Sequence, residues 1–303
     1  MARVGWITGG AGFIGTAVAR RWRTEGWRVL AIDRRAPEAG HPLAAATVVS
    51  DVTPVALAEA LSRTGRPDAL FHAAGTGTVG RAEADPVAAR IDTVGSVEAV
   101  LAFLAGHAPA CRLIIPSSAA VYGDAGDRAL REDMTPAPIS VYGQLKHAVE
   151  QRCAAASDGL NIGVIRFFSV YGPGLRKQLP WELGRKFLGG AARVELSGTG
   201  GETRDFLHID DAVALIHLLA TTAPPGLTLV NGGTGVATTI RAFATGLGQA
   251  LGSRAEIAFS GAVRAGDPAH YRAETARVER LGFRPAMTLT QGLADYARWL
   301  RSA

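Results

Sequence analysis

The chain has 303 residues, 48% hydrophobic and 19% charged, with a formal net charge of +5 and two cysteines. That composition excludes a disordered chain, and Cys111 and Cys153 cannot make a disulfide framework or a metal cluster. No apolar run nears membrane-spanning length, a glycine turn interrupts the N-terminal apolar run, and the basic residues are not gathered into a nucleic-acid arm.

A soluble cytoplasmic protein is therefore expected, with no membrane, nucleic-acid or metal partner. Residues 4–7 read as an apolar strand that breaks into glycines at Gly9, Gly10, Gly12 and Gly15. Phe13, Ile14, Ala17, Val18, Arg21 and Trp22 then recur at helical spacing. Strand, tight turn and helix is the setting in which Gly10-x-Gly12-x-x-Gly15, or its variant Gly9-x-x-Gly12-x-x-Gly15, binds a dinucleotide. The glycines let the backbone turn and let a pyrophosphate reach the N–H groups of the helix N-terminus. The second strand, 27–32, ends in Asp33, where a carboxylate would accept hydrogen bonds from a ribose diol.

Strand-like and helix-like segments keep alternating. Residues 46–50 read as a strand ending in Asp51, 54–64 as a helix and 69–74 as a strand running into Gly75. A long helix is expected over 86–106, a strand over 112–116 ending in Ser117 and Ser118, a helix over 141–156 and a strand over 162–166. The strands are apolar throughout, as when helices cover both sheet faces. The fold class expected is α/β, a doubly wound parallel sheet of Rossmann type with a smaller C-terminal lobe. Ligands of such sheets sit at the carboxyl ends of strands. The glycine turn, Asp33, Asp51, Ala73 to Gly75, Ser118 and Phe168 all fall there. After about residue 170, Pro and Gly become denser and the periodicity patchy. The expected division is a dinucleotide-binding domain over 1–170 and a substrate lobe over 171–303, interleaved with late sheet elements at about 205–233.

Tyr142 and Lys146 lie four residues apart, on one face of the 141–156 helix. A free tyrosine, with a pKa of about 10, is too weak a base at neutral pH. A nearby ammonium and the positive ring of an oxidised nicotinamide would favour its phenolate. Ser118, at a strand end ahead of that helix, could hydrogen-bond a reacting oxygen. Alone, a Tyr-x-x-x-Lys is an ordinary surface pair and Ser118 an ordinary turn serine. The triple behind a dinucleotide fingerprint is far more specific.

Thr8-Gly-Gly-Ala-Gly-Phe-Ile-Gly15, Ser117-Ser-Ala-Ala-Val-Tyr-Gly123, Ser140-Val-Tyr-Gly-Gln-Leu-Lys146, Arg166-Phe-Phe-Ser-Val-Tyr-Gly-Pro173 and Arg204-Asp-Phe-Leu-His-Ile-Asp-Asp211 occur in this order. In this the chain resembles the extended short-chain dehydrogenase/reductases, the NAD-dependent nucleotide-sugar epimerases and dehydratases. The resemblance implies that Gly9, Gly12, Phe13, Ile14 and Gly15 hold the pyrophosphate of NAD and that Asp33 holds the adenosine ribose. It places Asp51 and Val52 beside the adenine, and Ala73, Ala74, Gly75 and Phe168 along the rest of the cofactor. Tyr142 would be the base, Lys146 its partner, also bonded to the nicotinamide ribose, and Ser118 the hydroxyl on the reacting oxygen. Ser169, Gln178, Leu179 and Leu196 would lie by the sugar nucleotide, with Arg204 and Arg264 on its diphosphate. Two positions depart from the family pattern: Ser169 and Asp92 stand where relatives often carry asparagine. Arg34 and Arg35 leave room for a 2′-phosphate, but Asp33 would repel it, which favours NAD over NADP.

The same resemblance narrows the reaction. Dehydratases carry Asp-Glu after the catalytic hydroxyl residue to protonate a leaving hydroxyl. Here Ala119 and Ala120 stand there. A 4-epimerase of a UDP-hexose, acting by transient oxidation at C4 with tightly held NAD, is the expected activity, and a homodimer the expected assembly. The alternatives are an NAD(P)H-dependent reductase of a keto-sugar nucleotide, a nucleotide-sugar dehydratase and a non-catalytic NAD(P)-sensing protein.

Overall fold

A computed structural model describes residues 2–38, 40–43, 45–262 and 268–303. Along the chain the elements are β1 (Val4–Thr8), α1 (Phe13–Thr24), β2 (Arg28–Asp33), β3 (Thr47–Val49), α2 (Pro54–Thr64), β4 (Ala69–His72), α3 (Val79–Ala84), α4 (Pro86–Arg90), a π-turn (Ile91–Gly95) and α5 (Ser96–His107). There follow β5 (Arg112–Ser118), a 3₁₀ turn (Ala119–Tyr122), α6 (Val141–Ala156), β6 (Asn161–Phe167), β7 (Ser169–Tyr171), α7 (Gln178–Leu188), β8 (Arg193–Leu196), β9 (Thr203–Arg204) and β10 (Phe206–His208). The chain ends with α8 (Ile209–Thr222), β11 (Leu227–Gly232), β12 (Thr238–Thr239), α9 (Ile240–Ala250), β13 (Glu256–Phe259), α10 (Ala276–Arg280) and α11 (Leu289–Leu300). No helix among the described residues is long and apolar enough to cross a membrane.

The chain divides into two compact units. The first comprises residues 1–123, 135–166 and 213–230, the second 124–134, 167–212 and 231–303. The first is built on a seven-stranded sheet in the order β11-β6-β5-β4-β1-β2-β3, whose β1–β2, β1–β4, β2–β3 and β4–β5 pairs run parallel. The order reverses between β1 and β4, the switch point at which doubly wound sheets bind ligands. β1 is buried along its length, as a strand covered on both faces must be. Its Gly5 leaves room for α1: a Cβ there would lie 2.5 Å from Trp22, which is fully buried and stacks on Trp27 at 4.8 Å.

The helix expected over 86–106 is interrupted, and α3 before it was not foreseen. Thr78 caps α3 by accepting the Arg81 N–H, and Asp85 caps α4 by accepting the Ala88 N–H at 2.9 Å with Pro86 behind it. At Ile91–Gly95 the helix widens, and the Ser96 hydroxyl donates to the Asp92 carbonyl at 2.6 Å. A side-chain hydroxyl inserted into the backbone ladder is a known cause of such a break.

The second unit holds two-stranded pieces, β7 with β10, β8 with β13 and β9 with β12, packed with α7, α9, α10 and α11. Phe206 stacks on Phe243 at 4.0 Å, and α7 closes on α11 where Gly184 meets Leu300. Buried Asp205 ties the unit together. It accepts the N–H groups of Thr234, Gly235 and Ala273 and the Thr234 hydroxyl, at 2.7 to 3.1 Å.

Candidate active site

The glycine turn is shaped by contacts that tolerate no side chain. Gly9 has φ +69°, and a Cβ there would lie 2.8 Å from the backbone of Ala73 and Ala74. A Cβ on Gly15 would lie 2.3 Å from the Gly9 carbonyl oxygen. Gly12 caps α1 with no side-chain hydrogen bond, and the first turn carries no acid. Free N–H groups at that helix end, behind a loop that only glycine can form, suit a pyrophosphate. The structure thus joins Gly9, Gly12, Phe13, Ile14 and Gly15 to Ala73 and Ala74 at the switch point. Gly75, at φ +128°, is packed 3.3 Å from Thr93 when given a Cβ.

Asp33 has a second task that the sequence did not disclose. Its Oδ2 accepts the Ala11 N–H at 2.9 Å and its Oδ1 the Arg35 N–H at 3.0 Å, so the carboxylate braces the glycine turn itself. Asp51 lies 3.4 Å from the Arg34 Nε, and Asp92 takes the same guanidinium by two bonds, at 3.2 and 2.9 Å. Arg34, expected to leave room for a phosphate, is instead held by carboxylates. Val52 is half-buried and packs on the core of this unit.

Ser118, Tyr142 and Lys146 come together. The Ser140 hydroxyl caps α6 by accepting the Gly143 N–H at 3.1 Å, starting the helix one residue before Tyr142. Ser118 hydrogen-bonds Tyr142. The Lys146 Nζ donates to the Pro116 carbonyl at 2.8 Å and lies 5.7 Å from the Tyr142 ring centroid. Burial raises the Tyr142 pKa above the ordinary phenol value, and the Ser118 hydrogen bond only partly offsets it. The positive ring of an oxidised nicotinamide, expected together with the Lys146 ammonium to favour the phenolate, would act against that rise.

Two buried networks behind these residues escaped sequence reading. In the first, the Ala74 N–H donates to the Thr8 hydroxyl at 3.3 Å, which lies 2.8 Å from His72 Nδ1; His72 Nε2 lies 3.1 Å from the Ser96 hydroxyl. Because Ser96 spends its proton on the Asp92 carbonyl, Nε2 carries the His72 proton and Nδ1 accepts. Burial, aided by the Lys146 charge, pushes the His72 pKa down to about 3. In the second, Glu150 accepts the Ser117 hydroxyl at 2.5 Å and two Arg166 N–H groups at 2.9 and 2.7 Å, and Arg166 lies 4.7 Å over the Tyr122 ring. Its only sequence signal is an arginine ending an apolar strand.

In the second unit, Phe168 bonds through its N–H to the Gly232 carbonyl at 3.1 Å, and its ring meets Tyr271 edge-on. The Ser169 N–H donates to the Asp205 carbonyl at 2.9 Å. Arg204 donates to the Thr203 and Ala269 carbonyls at 2.8 and 3.3 Å and lies 5.4 Å over Tyr271. Gln178 opens α7 with φ +63°, followed by half-buried Leu179, and Leu196 pairs with Phe259. Arg264 lies outside the described residues. Glu132, in the loop beyond the 3₁₀ turn, is buried: it accepts the Asn231 N–H at 2.8 Å and lies 3.8 Å from Arg277.

The family described as NAD dependent epimerase/dehydratase matches residues 6–231. A UDP-glucose 4-epimerase of Azospirillum brasilense is 30% identical over 98% of this chain and 91% of its own length. Among solved structures, MoeE5 in complex with UDP-glucose and NAD is 30% identical, covers 99% of both chains and superposes with a TM-score of 0.87. The NAD-dependent NDP-hexosamine 5,6-dehydratase TunA, of tunicamycin biosynthesis, is 27% identical with a TM-score of 0.86, over 99% of this chain and 98% of its own.

Proposed function

This chain belongs to the NAD-dependent epimerase/dehydratase family, and we propose that within it the protein is a nucleotide-sugar 4-epimerase acting on a UDP-hexose. The observation that carries the choice is the 3₁₀ turn after Ser118. Its first residues, Ala119 and Ala120, have no group that could protonate a leaving hydroxyl. Glu132, further along, is engaged by Asn231 and Arg277, and Asp133 by Arg131 at 2.8 Å. Likeness to a UDP-glucose 4-epimerase and to a UDP-glucose complex supports the substrate class.

The residues present fit the cofactor: the glycine turn for the pyrophosphate, Asp33 for the ribose, and the segment from Ala73 to Gly75 along its middle. Held there, NAD would supply the acceptor and donor of a hydride at C4 and a positive ring beside the phenol. Tyr142 accepts the proton of the C4 hydroxyl and gives it back. Ser118 donates to the same oxygen while charge is on it. Lys146, anchored on the Pro116 carbonyl, holds α6 against β5 and keeps a positive charge beside the ring. Arg204, steadied by two carbonyls and Tyr271, serves the diphosphate. The proposal includes a homodimer, carried over from the family resemblance, and a cytoplasmic location, expected from the composition.

The test is to incubate the purified protein, without added cofactor, with UDP-, dTDP- and GDP-sugars and follow products by NMR. A C4 epimer from a UDP-hexose supports the reading. A product lighter by one water, or turnover only with added NAD(P)H, contradicts it.

A further inference from the structure

In dinucleotide folds an arginine near the end of the second strand is the group that accommodates a 2′-phosphate and admits NADP. Arg34 stands there, directly after Asp33, yet its guanidinium is already taken. Both terminal nitrogens donate to Asp92, at 3.2 and 2.9 Å, and the Nε lies 3.4 Å from Asp51. Such a planar two-pronged pair uses the geometry by which arginine would grip a phosphate. Asp92 sits in the π-turn Ile91–Gly95, whose widened backbone is fixed by the Ser96 hydroxyl on the Asp92 carbonyl. π-turns of this kind recur at functional sites.

We propose that Asp92 is a specificity residue: it withholds Arg34 and thereby makes the cofactor site select NAD over NADP. This rests on the reading of Asp33 as the ribose-binding residue. Asp33, Asp51 and Asp92 set three negative charges against the two of Arg34 and Arg35, and the Arg35 Nε lies 4.0 Å from Asp33. With one carboxylate per arginine and one left over, a 2′-phosphate meets net repulsion. The Arg34 side chain is 50% exposed, so the pair contributes little to folding. Its effect is on the difference between two affinities.

The test equilibrates the full-length protein with equal concentrations of NAD and NADP and counts the nucleotide retained, for wild type, Asp92→Asn, Arg34→Ala and Asp92→Asn with Arg34→Ala. Asp92→Asn keeps the side chain's shape and removes its charge. The retained NADP-to-NAD ratio should rise about tenfold in Asp92→Asn, equivalent to about 1.4 kcal/mol, with the melting temperature unchanged. The gain should vanish in the double variant, and Arg34→Ala alone should leave NADP weak. An unmoved ratio in Asp92→Asn, or a rise that survives loss of Arg34, overturns the proposal while leaving Asp33 in place. A wild type that retains NADP in preference overturns both.

Discussion

A Cβ on Gly143 would lie 2.5 Å from the carbonyl oxygen of Ala120. Helix α6 can therefore dock on the turn after Ser118 only because residue 143 has no side chain, and that docking sets Tyr142 against Ser118. Gly143→Ala must push the helix off the turn. Overpacking of this kind costs about 1–3 kcal/mol, and a misplacement of about 1 Å can cost on the order of 10²-fold in rate. We expect kcat to fall by that order while NAD retention, which depends on the glycine turn, is kept. A kcat near that of wild type would show that this contact does not position Tyr142.

Tyr142→Phe removes the hydroxyl that moves the proton and keeps the ring. Turnover should be lost while NAD and UDP-sugar still bind. Ser118→Ala should be milder, lowering kcat by about 10²-fold or more, as for loss of one positioned donor. Steady-state rates with binding measured in parallel check both. Substantial turnover in Tyr142→Phe would remove it from the proton step.

The residues proposed as catalytic and cofactor-binding could be picked out in the sequence because each sits where a short-range pattern puts it: glycines at a strand-to-helix turn, Asp33 at a strand end, Tyr142 and Lys146 one helical turn apart. The limits of α2 and α6 were legible because Thr53 with Pro54, and Ser140, are explicit start signals. What was hidden depends on partners far along the chain. Asp92 reads as a polar residue in a long helix until its bond to Arg34, 58 residues away, is seen. Nothing in the loop around Glu132 points to Asn231, 99 residues on, as its hydrogen-bond partner. Spacing within one element carries no signal for either.

Buried His72 gives the fold a sensitivity to acid. Its ordinary pKa of 6.5 falls to about 3 in the folded protein. Between those values the unfolded chain binds a proton that the folded one refuses, so stability is lost as pH falls from 6.5 towards 3, and no further loss comes from this group below. The slope from one such group is at most about 1.4 kcal/mol per pH unit. Urea unfolding of wild type and His72→Gln at pH 7 and pH 4.5 measures it. The difference in stability between the two should shrink at the lower pH. A constant difference would show that His72 takes up its proton without unfolding.

The Glu150–Arg166 pair is almost sealed from water, with side chains 9% and 3% exposed. Removing one partner leaves the other charged and buried. Glu150→Gln should cost about 3–5 kcal/mol, read by denaturant unfolding. Glu150→Leu with Arg166→Met, which removes both charges, should cost less than either single change. A double variant as unstable as the sum of the singles would mean that packing and not charge is what the pair supplies.

The central claim is that hydrogen leaves C4 and returns to C4 inside one active site. The measurement is a UDP-hexose deuterated at C4, given to the protein in ordinary water without added cofactor, with the product's C4 read by NMR and mass spectrometry. Oxidation and return at one site predict a C4 epimer that keeps its deuterium. Loss of the label to solvent would contradict the account, and a 4-keto-6-deoxy product lighter by one water would contradict it and show that another residue supplies the acid that Ala119 and Ala120 lack.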